Sequence, residues 1–344
     1  MKSNLDLWSV NDILKMFQCD MNRQTLLRAE KSGKIPAAIR LDKGLKARVW
    51  SVKDLPEIGK EFGFLKPPKS QIRIGVYTAK GGVLKTTLSY TLARVLALHG
   101  IKTLLVGLDS QCSLTALALN PLVNVSSLDK LPVYKNVGDL LFSYNQLKDV
   151  IQKTTLPTLD ILPETDDLTL VNSWIASQAA ANATSKKRGS IERYEYFTKI
   201  LLPHLKEYQA VIFDNSPSWS HLIENSLFAS DYVISPAACD PGCYQVLENN
   251  LNSITEFGEY ARKEWKQVFL VPTLKDKSKL SGQIHGAYLA SQAEIVTQSC
   301  IRRTVKGAEA FSSGASPIEF DATSELSEDY FSLIKEIWAT VQEG

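Results

Sequence analysis

The sequence predicts an α/β chain, a mostly parallel sheet flanked by helices, with a small helical domain ahead of it. Three observations carry this. From residue 71 onward apolar runs alternate with stretches of helical spacing, the pattern of a sheet covered on both faces. Pro67 and Pro68 exclude helix and favour an extended linker just before the first of these runs. At 344 residues, 44% of them hydrophobic, the chain is long enough for one substantial core and a small extra domain. The domains are therefore placed at 1–65 and 72–344, with 66–71 as the linker and the expected sole connection.

The first unit is short and basic. Residues 1–70 hold 14 Lys and Arg against 8 Asp and Glu, whereas the whole chain has a net charge of only +2. That positive end is the first place to look for nucleic acid. Ser9 caps a helix that buries Val10, Ile13, Leu14 and Phe17 on one face. A polar turn from Cys19 to Asn22 follows, and a second helix begins at Arg23 and stops at Ser32 and Gly33. This is a helix-turn-helix order, in which Asn22, Arg23, Gln24, Thr25 and Arg28 would face the major groove. Two short segments at 38–41 and 47–51, joined by a turn at 42–44, then predict a β-hairpin. Arg40, Lys43, Lys46 and Arg48 along it would make a wing against the phosphate backbone. Another helix opens at Ser51. A protein-docking role for so small a helical unit is the alternative; the basic balance favours DNA.

In the larger unit, strands are expected at 72–77, 103–108, 159–162, 210–213, 232–235 and 268–271. Helices are expected at 85–99, 191–207, 220–229, 242–261, 280–292 and 327–340, the first ended by Gly100. The Ala- and Ser-rich patch at 176–189 reads as an exposed helix end and loop.

Between the first strand and the first helix stands Lys80-Gly81-Gly82-Val83-Leu84-Lys85-Thr86-Thr87. Consecutive glycines let backbone N–H groups close around an anion, and the helix N-terminus adds its positive end. Lys85 and Thr86 can then meet a terminal phosphate and its Mg²⁺. Acidic partners for such a loop come from the C-terminal ends of neighbouring strands, and Asp109 and Asp214 stand at such ends.

Other classes are disfavoured. The N-terminus has no apolar segment of a secretory signal, and no apolar run reaches the roughly 18 residues of a membrane span. Cys19, Cys112, Cys239, Cys243 and Cys300 are widely spread, with no paired metal-ligand spacing, and read as free thiols in a reducing, cytoplasmic compartment.

The extra lysine before the double glycine, Lys80, marks a deviant Walker A loop, and here the chain resembles the ParA/MinD family of ATPases. The resemblance implies ATP and ADP as ligands, Mg²⁺ held directly by Thr86 and through water by Asp109 and Asp214, and a homodimer in which Lys80 reaches the partner's nucleotide. The segment Leu108-Asp109-Ser110-Gln111 is similar to the family's second motif, whose second aspartate, matched by Asp109, helps place the attacking water. Asp214-Asn215-Ser216-Pro217-Ser218 resembles its Walker B segment. Pro272 and Thr273 end a strand whose counterpart faces adenine, and residues 301–317 resemble the family's ending. The first unit resembles the winged helix of the larger, SopA-like members. Together these imply a slow, Mg-dependent partition ATPase, nucleoid-associated, that binds DNA without sequence preference, is stimulated by a ParB-like partner and represses its own operon. Lys275, Lys277, Lys279, Arg302, Arg303 and Lys306 are the candidates for non-specific DNA contact. The sequence departs from the family at Leu84 and Gly107, where glycine and aspartate are usual. Those departures motivate the alternative of a nucleotide-responsive repressor with little or no turnover. A MinD-like membrane role is disfavoured because the stretch at 324–336 is acidic.

Overall fold

The computed structural model describes residues 7–18, 22–41, 47–119, 133–142, 146–185 and 191–343. The first unit contains β1 (Leu7–Ser9), α1 (Val10–Met16), α2 (Arg23–Lys31), β2 (Ile39–Leu41), β3 (Ala47–Ser51) and α3 (Leu55–Phe62). Ser9 caps α1 as the sequence predicts, in a reciprocal box with Asp12, and Val10, Ile13, Met16 and Phe17 are buried. Asn22 caps α2 by accepting the Thr25 N–H at 3.0 Å. The three strands form one antiparallel sheet in the order β1-β3-β2, with Arg40 opposite Arg48 in the β2–β3 hairpin. Trp50 is fully buried beneath it and donates Nε1–H to the Pro36 carbonyl at 2.8 Å.

The larger unit is a seven-stranded sheet in the order β10-β9-β4-β8-β5-β7-β6. Its strands are β4 (Ile72–Val76), β5 (Thr103–Leu108), β6 (Gln152–Lys153), β7 (Leu159–Leu162), β8 (Ala210–Asn215), β9 (Tyr232–Ala238) and β10 (Gln267–Thr273). All pairs are parallel except β6–β7 at the edge. Every residue of β5, β8 and β9 is buried, which is why these strands read as apolar runs rather than alternating ones. The helices are α4 (Lys85–Leu98), α5 (Ser113–Leu119), α6 (Val137–Phe142), α7 (Leu147–Val150), α8 (Leu168–Ser185), α9 (His221–Ala229), α10 (Pro241–Ala261), α11 (Lys279–Ser291), α12 (Val305–Ser312), α13 (Pro317–Phe320) and α14 (Glu325–Glu343). Chain order crosses at β4, which lies between β9 and β8, so the loop after it opens at a topological switch point.

Two expectations are corrected. The helix expected at 191–207 is instead a single π-helical turn at Phe197–Leu201 and a 3-10 turn at Leu202–His204; Pro203, inside the second turn, has no N–H to continue a ladder. The linker is not the sole connection. α3 lies directly against the end of α4: a Cβ on Gly59 would overlap the Leu98 carbonyl and stand 2.6 Å from the Phe17 ring. Phe17, Ile58 and Leu65 share one apolar core with Leu92, Leu96, Phe331 and Trp338. The Lys66 carbonyl accepts from Trp338 Nε1 at 2.9 Å, fixing the linker to α14. Farther along α4, Arg94 grips Glu319 with two 2.6 Å hydrogen bonds, both groups buried, and Glu319 is held below the usual carboxylate range by that guanidinium against the opposing effect of burial.

At this junction His99 packs edge-on against Phe17 and Phe64, its Nδ1 is 2.7 Å from the Val95 carbonyl, and its Nε2 has no hydrogen-bond partner. Burial pushes its pKa down to about 4. Among the described residues, no helix is long and apolar enough to cross a membrane, and Cys112, Cys239, Cys243 and Cys300 are free thiols.

Gly59→Ala would ordinarily stabilise a helix by about 0.5 to 1 kcal/mol. Here the added methyl meets backbone, so the variant should lose about 1 to 3 kcal/mol, read as a lower unfolding midpoint in urea and faster proteolysis at 66–71. His99 binds its proton less readily folded than unfolded, so its contribution is complete above the unfolded value of about 6.5 and is lost as pH falls toward about 4. On the order of 3 kcal/mol is at stake over that window. His99→Phe, which keeps the packing and removes the titration, should flatten the stability profile between about pH 6.5 and 5 in urea titrations.

Candidate nucleotide-binding site

Residues 77–84 connect β4 to α4 and wrap a cavity at the C-terminal edge of the sheet. Two left-handed residues shape the loop: Gly82 at φ 74° and Leu84 at φ 71°. Left-handed turns alternating with right-handed ones aim successive N–H groups inward, the geometry of an anion nest, and the α4 N-terminus continues the same line. The usual glycine at position 84 is thus explained by the backbone angle, and Leu84 occupies that angle at a cost of roughly 1 to 2 kcal/mol. Its side chain is partly buried and packs against the main core.

The cavity measures about 750 Å³ and is lined by Gly81, Gly82, Leu84, Lys85, Thr86 and Thr87 on the loop side. Across from them stand Asp109, Ser110 and Gln111 from the β5–α5 turn, and Ser216 to Ser220 from the β8–α9 turn. Sequence reasoning had not placed Ser113, Thr169, Asn172 and Trp219 here. Their only signal is position, directly after the two aspartate strands or on the first two turns of α8, ahead of the Ala- and Ser-rich end that the sequence marks as helix. A second groove of about 790 Å³ lies along α10, lined by Arg262, Lys263, Glu264 and Trp265 among others, and shares no lining residue with the first.

Under the loop, Asp214 is fully buried at the end of β8. Ser89 donates to its Oδ1 at 2.8 Å, while Oδ2 has no hydrogen-bond partner. Burial raises its pKa to about 6 against the pull of Ser89, Thr86 and Lys85. The orphaned oxygen, Thr86 beside it and a phosphate nest above fit a hydrated divalent cation, since such a cation supplies the positive charge that a buried carboxylate lacks. Lys85 is buried too, its pKa lowered by desolvation and supported by Asp214 and Asp109, and its Nζ donates to the Lys80 carbonyl at 2.6 Å. Asp109 is partly exposed at the cavity wall, its Oδ1 accepting the Gln111 N–H at 3.1 Å.

Lys80 does not line the cavity. Its Nζ lies 3.4 Å from Asp240, the residue that caps α10. Pro272 and Thr273 are not at the cavity either: Thr273 is fully buried and its hydroxyl donates to the Val83 carbonyl at 3.2 Å, so it braces the loop from behind. Val83 is likewise buried, its side chain packed with Ala237 and Ala238. Asn250, a buried polar residue mid-helix in α10, accepts the Ala79 N–H at 2.7 Å and completes the brace.

In the first unit, Arg23, Gln24, Thr25 and Arg28 are exposed on α2. Arg48 is held by Glu30 at 3.0 Å, with Arg40 4.0 Å from the same carboxylate. Lys43 and Lys46 lie outside the described residues, as do the positions 19–21 of the expected turn. On the larger unit, Lys277, Lys279 and Arg303 are exposed and Lys275 faces His285 at 3.1 Å. Arg302 is corrected as a DNA contact: it forks onto Asp329 and also meets Glu325 and Glu328, so its charge is offset within the chain. The side chain of Lys306 lies outside the described set.

Comparisons with known proteins agree with this geometry. A sequence family described as an AAA domain matches residues 71–267. The sporulation initiation inhibitor protein Soj of Bacillus subtilis is 28% identical over 267 residues, which cover 77% of this chain and 98% of Soj. The chromosome partitioning protein ParA of Caulobacter vibrioides is 26% identical over 270 residues, covering 77% of this chain and 92% of its own length. The solved structure of a partition protein is similar in fold over 96% of this chain and 92% of its own, with a TM-score of 0.68 at 16% identity.

Leu84→Gly relieves the left-handed strain but adds freedom to the unfolded chain, two opposing effects of about 1 kcal/mol each, so its stability should stay within about 1 kcal/mol of the parent. Leu84→Val, β-branched at a positive φ, should lose about 2 kcal/mol or more. Urea unfolding of both variants checks the pair.

Proposed function

The chain belongs to the ParA-type P-loop partition ATPases, and from that premise we propose that it is a DNA-segregation switch that dimerises on ATP. The observation that carries the proposal is the placement of its two lysines. Lys85 is buried within its own phosphate site, whereas Lys80 stands outside it on Asp240 at the rim. A cation so placed can complete a phosphate site across an interface.

In this reading Lys85 and the loop N–H groups bind the ATP phosphates and stabilise charge that develops during transfer. Thr86, Asp214 and Asp109 would hold Mg²⁺, Thr86 directly and the two carboxylates through water; the ion, when bound, would neutralise phosphate charge. Asp109, exposed to the cavity and fixed by the Gln111 N–H, orients the attacking water. Thr273 and Asn250 hold the loop in place behind these groups. Non-specific DNA contact falls to exposed cations such as Lys277, Lys279 and Arg303. The first unit, residues 1–65, works as a winged helix-turn-helix: α2 presents Arg23, Gln24 and Arg28 to base edges, and the hairpin lies along the phosphates. It would bind the operator of its own operon, and a ParB-like centromere-binding partner would trigger hydrolysis and release from the nucleoid.

Two variants test this. Lys80→Ala should keep ATP binding, since Lys80 does not line the cavity, but lose Mg-ATP-dependent self-association in analytical ultracentrifugation. Unchanged association would remove the trans role. Asp109→Ala should lower single-turnover hydrolysis by roughly 100- to 1,000-fold while leaving nucleotide binding intact. Hydrolysis at the parent rate would make Asp109 structural.

A further inference from the structure

We propose that Glu164 is a positioning residue of the ATPase site, supplying from the end of β7 the carboxyl group for which Gly107 leaves room at the end of β5. The two strands run parallel, and their register places Val106 beside Leu162, so position 107 and Glu164 follow at the same edge. On its other side Gly107 pairs with Asp214. A Cβ added to Gly107 would come 2.6 Å from Glu164 Oε2 and 3.0 Å from Glu164 Cβ. The Glu164 carboxyl therefore fills the space into which a side chain at 107 would project.

What Glu164 does there follows from its partners. It is 1% exposed. Its Oε1 accepts the Leu114 N–H at 2.7 Å in the first turn of α5, and its Oε2 accepts the Asp109 N–H at 3.3 Å. Its backbone exchanges two further bonds with Thr115: Glu164 N–H donates to the Thr115 hydroxyl at 2.9 Å, and that hydroxyl donates to the Glu164 carbonyl at 3.1 Å. The whole β5–α5 turn, with Asp109, Ser110 and Gln111 on the cavity wall, is thus hung from one residue of the neighbouring strand. Glu164 does not itself line the cavity, so it acts through the position of Asp109. The pairing is reciprocal: glycine at 107 admits Glu164, and Glu164 makes glycine at 107 workable.

The proposal rests on the ATPase reading, and a swap separates the two. Mg-ATP turnover and affinity for a non-hydrolysable ATP analogue are measured on the full chain for Glu164→Ala, Gly107→Asp and the double variant. Glu164→Ala should lower turnover about 10- to 100-fold, the effect of a displaced catalytic group, with analogue affinity within about twofold of the parent. Gly107→Asp alone should also lose turnover, because its side chain meets Glu164. The double variant should recover most of the parent rate. Turnover at the parent rate in Glu164→Ala, or a double variant that binds the analogue yet turns over no faster than the slower single, overturns the role. Should Glu164→Ala not fold, Glu164→Gln is read in its place: it keeps the volume but turns an N–H toward one of the two backbone donors, so reduced turnover at unchanged analogue affinity supports the role and parent turnover overturns it. A parent chain that binds the analogue without any turnover would overturn the ATPase reading itself, and the role of Glu164 with it.

Discussion

A carboxylate with no exposure to water, Asp214, sets the terms for the structure around it. Placing it at the end of a strand buried on both faces is costly unless positive charge or hydrogen bonds offset it. The chain meets that need from one helix: Ser89 donates a hydrogen bond to it, and Thr86 and Lys85 favour its charged form, all within the first turn and a half of α4. For α4 to begin there, the loop before it must turn sharply, which demands left-handed backbone at Gly82 and Leu84. That turn in turn needs support, because its own N–H groups face inward, as in an anion nest, and not into a ladder. Thr273 and Asn250, from β10 and α10, provide it. Even then one oxygen of Asp214 remains unpartnered, and a charge so placed makes sense as half of a cation site.

The same helix carries the consequence to the far side of the molecule. α4 is 14 residues long, about 21 Å, and ends where Leu98 meets Gly59 and His99 meets Phe17 and Phe64. Its midpoint is fixed by the buried Arg94–Glu319 pair. One rigid element thus touches the phosphate loop, the C-terminal helices and the first unit. The first unit is consequently part of the main core rather than a tethered appendage, and the orientation of its exposed α2 surface is set by packing.

Most of the sheet was legible in the sequence because burial on both faces leaves an unbroken apolar run, and all six expected strands are present. β6 was not, since two residues at an edge carry no pattern. The phosphate loop and both aspartates were legible because glycine and strand-end carboxylates are written locally. Of α8 only the end was legible, as the Ala- and Ser-rich helix end from 176, although Leu168, Val171 and Ile175 before it keep helical spacing. The brace at Asn250, the docking at Gly59 and the contacts that occupy Arg302 were invisible for a different reason. Each depends on a neighbour between 23 and 171 residues away in sequence, and no local pattern encodes such a pairing.

The two departures from the family pattern illustrate how a site can be kept while its motif is lost. At position 84 the requirement is a backbone angle, and leucine meets it by accepting strain that its packing against the core offsets. At position 107 the requirement is a polar group at the strand end, and an adjacent strand can deliver one because parallel neighbours end together. In the first case the chain pays locally in conformation. In the second it transfers the chemistry to a residue 57 positions later, so that a motif search sees only a gap where the folded chain has a buried carboxyl group holding the turn that carries Asp109. A glycine in a catalytic motif is therefore informative in two ways, and the contact that a Cβ would make there decides between lost function and relocated function.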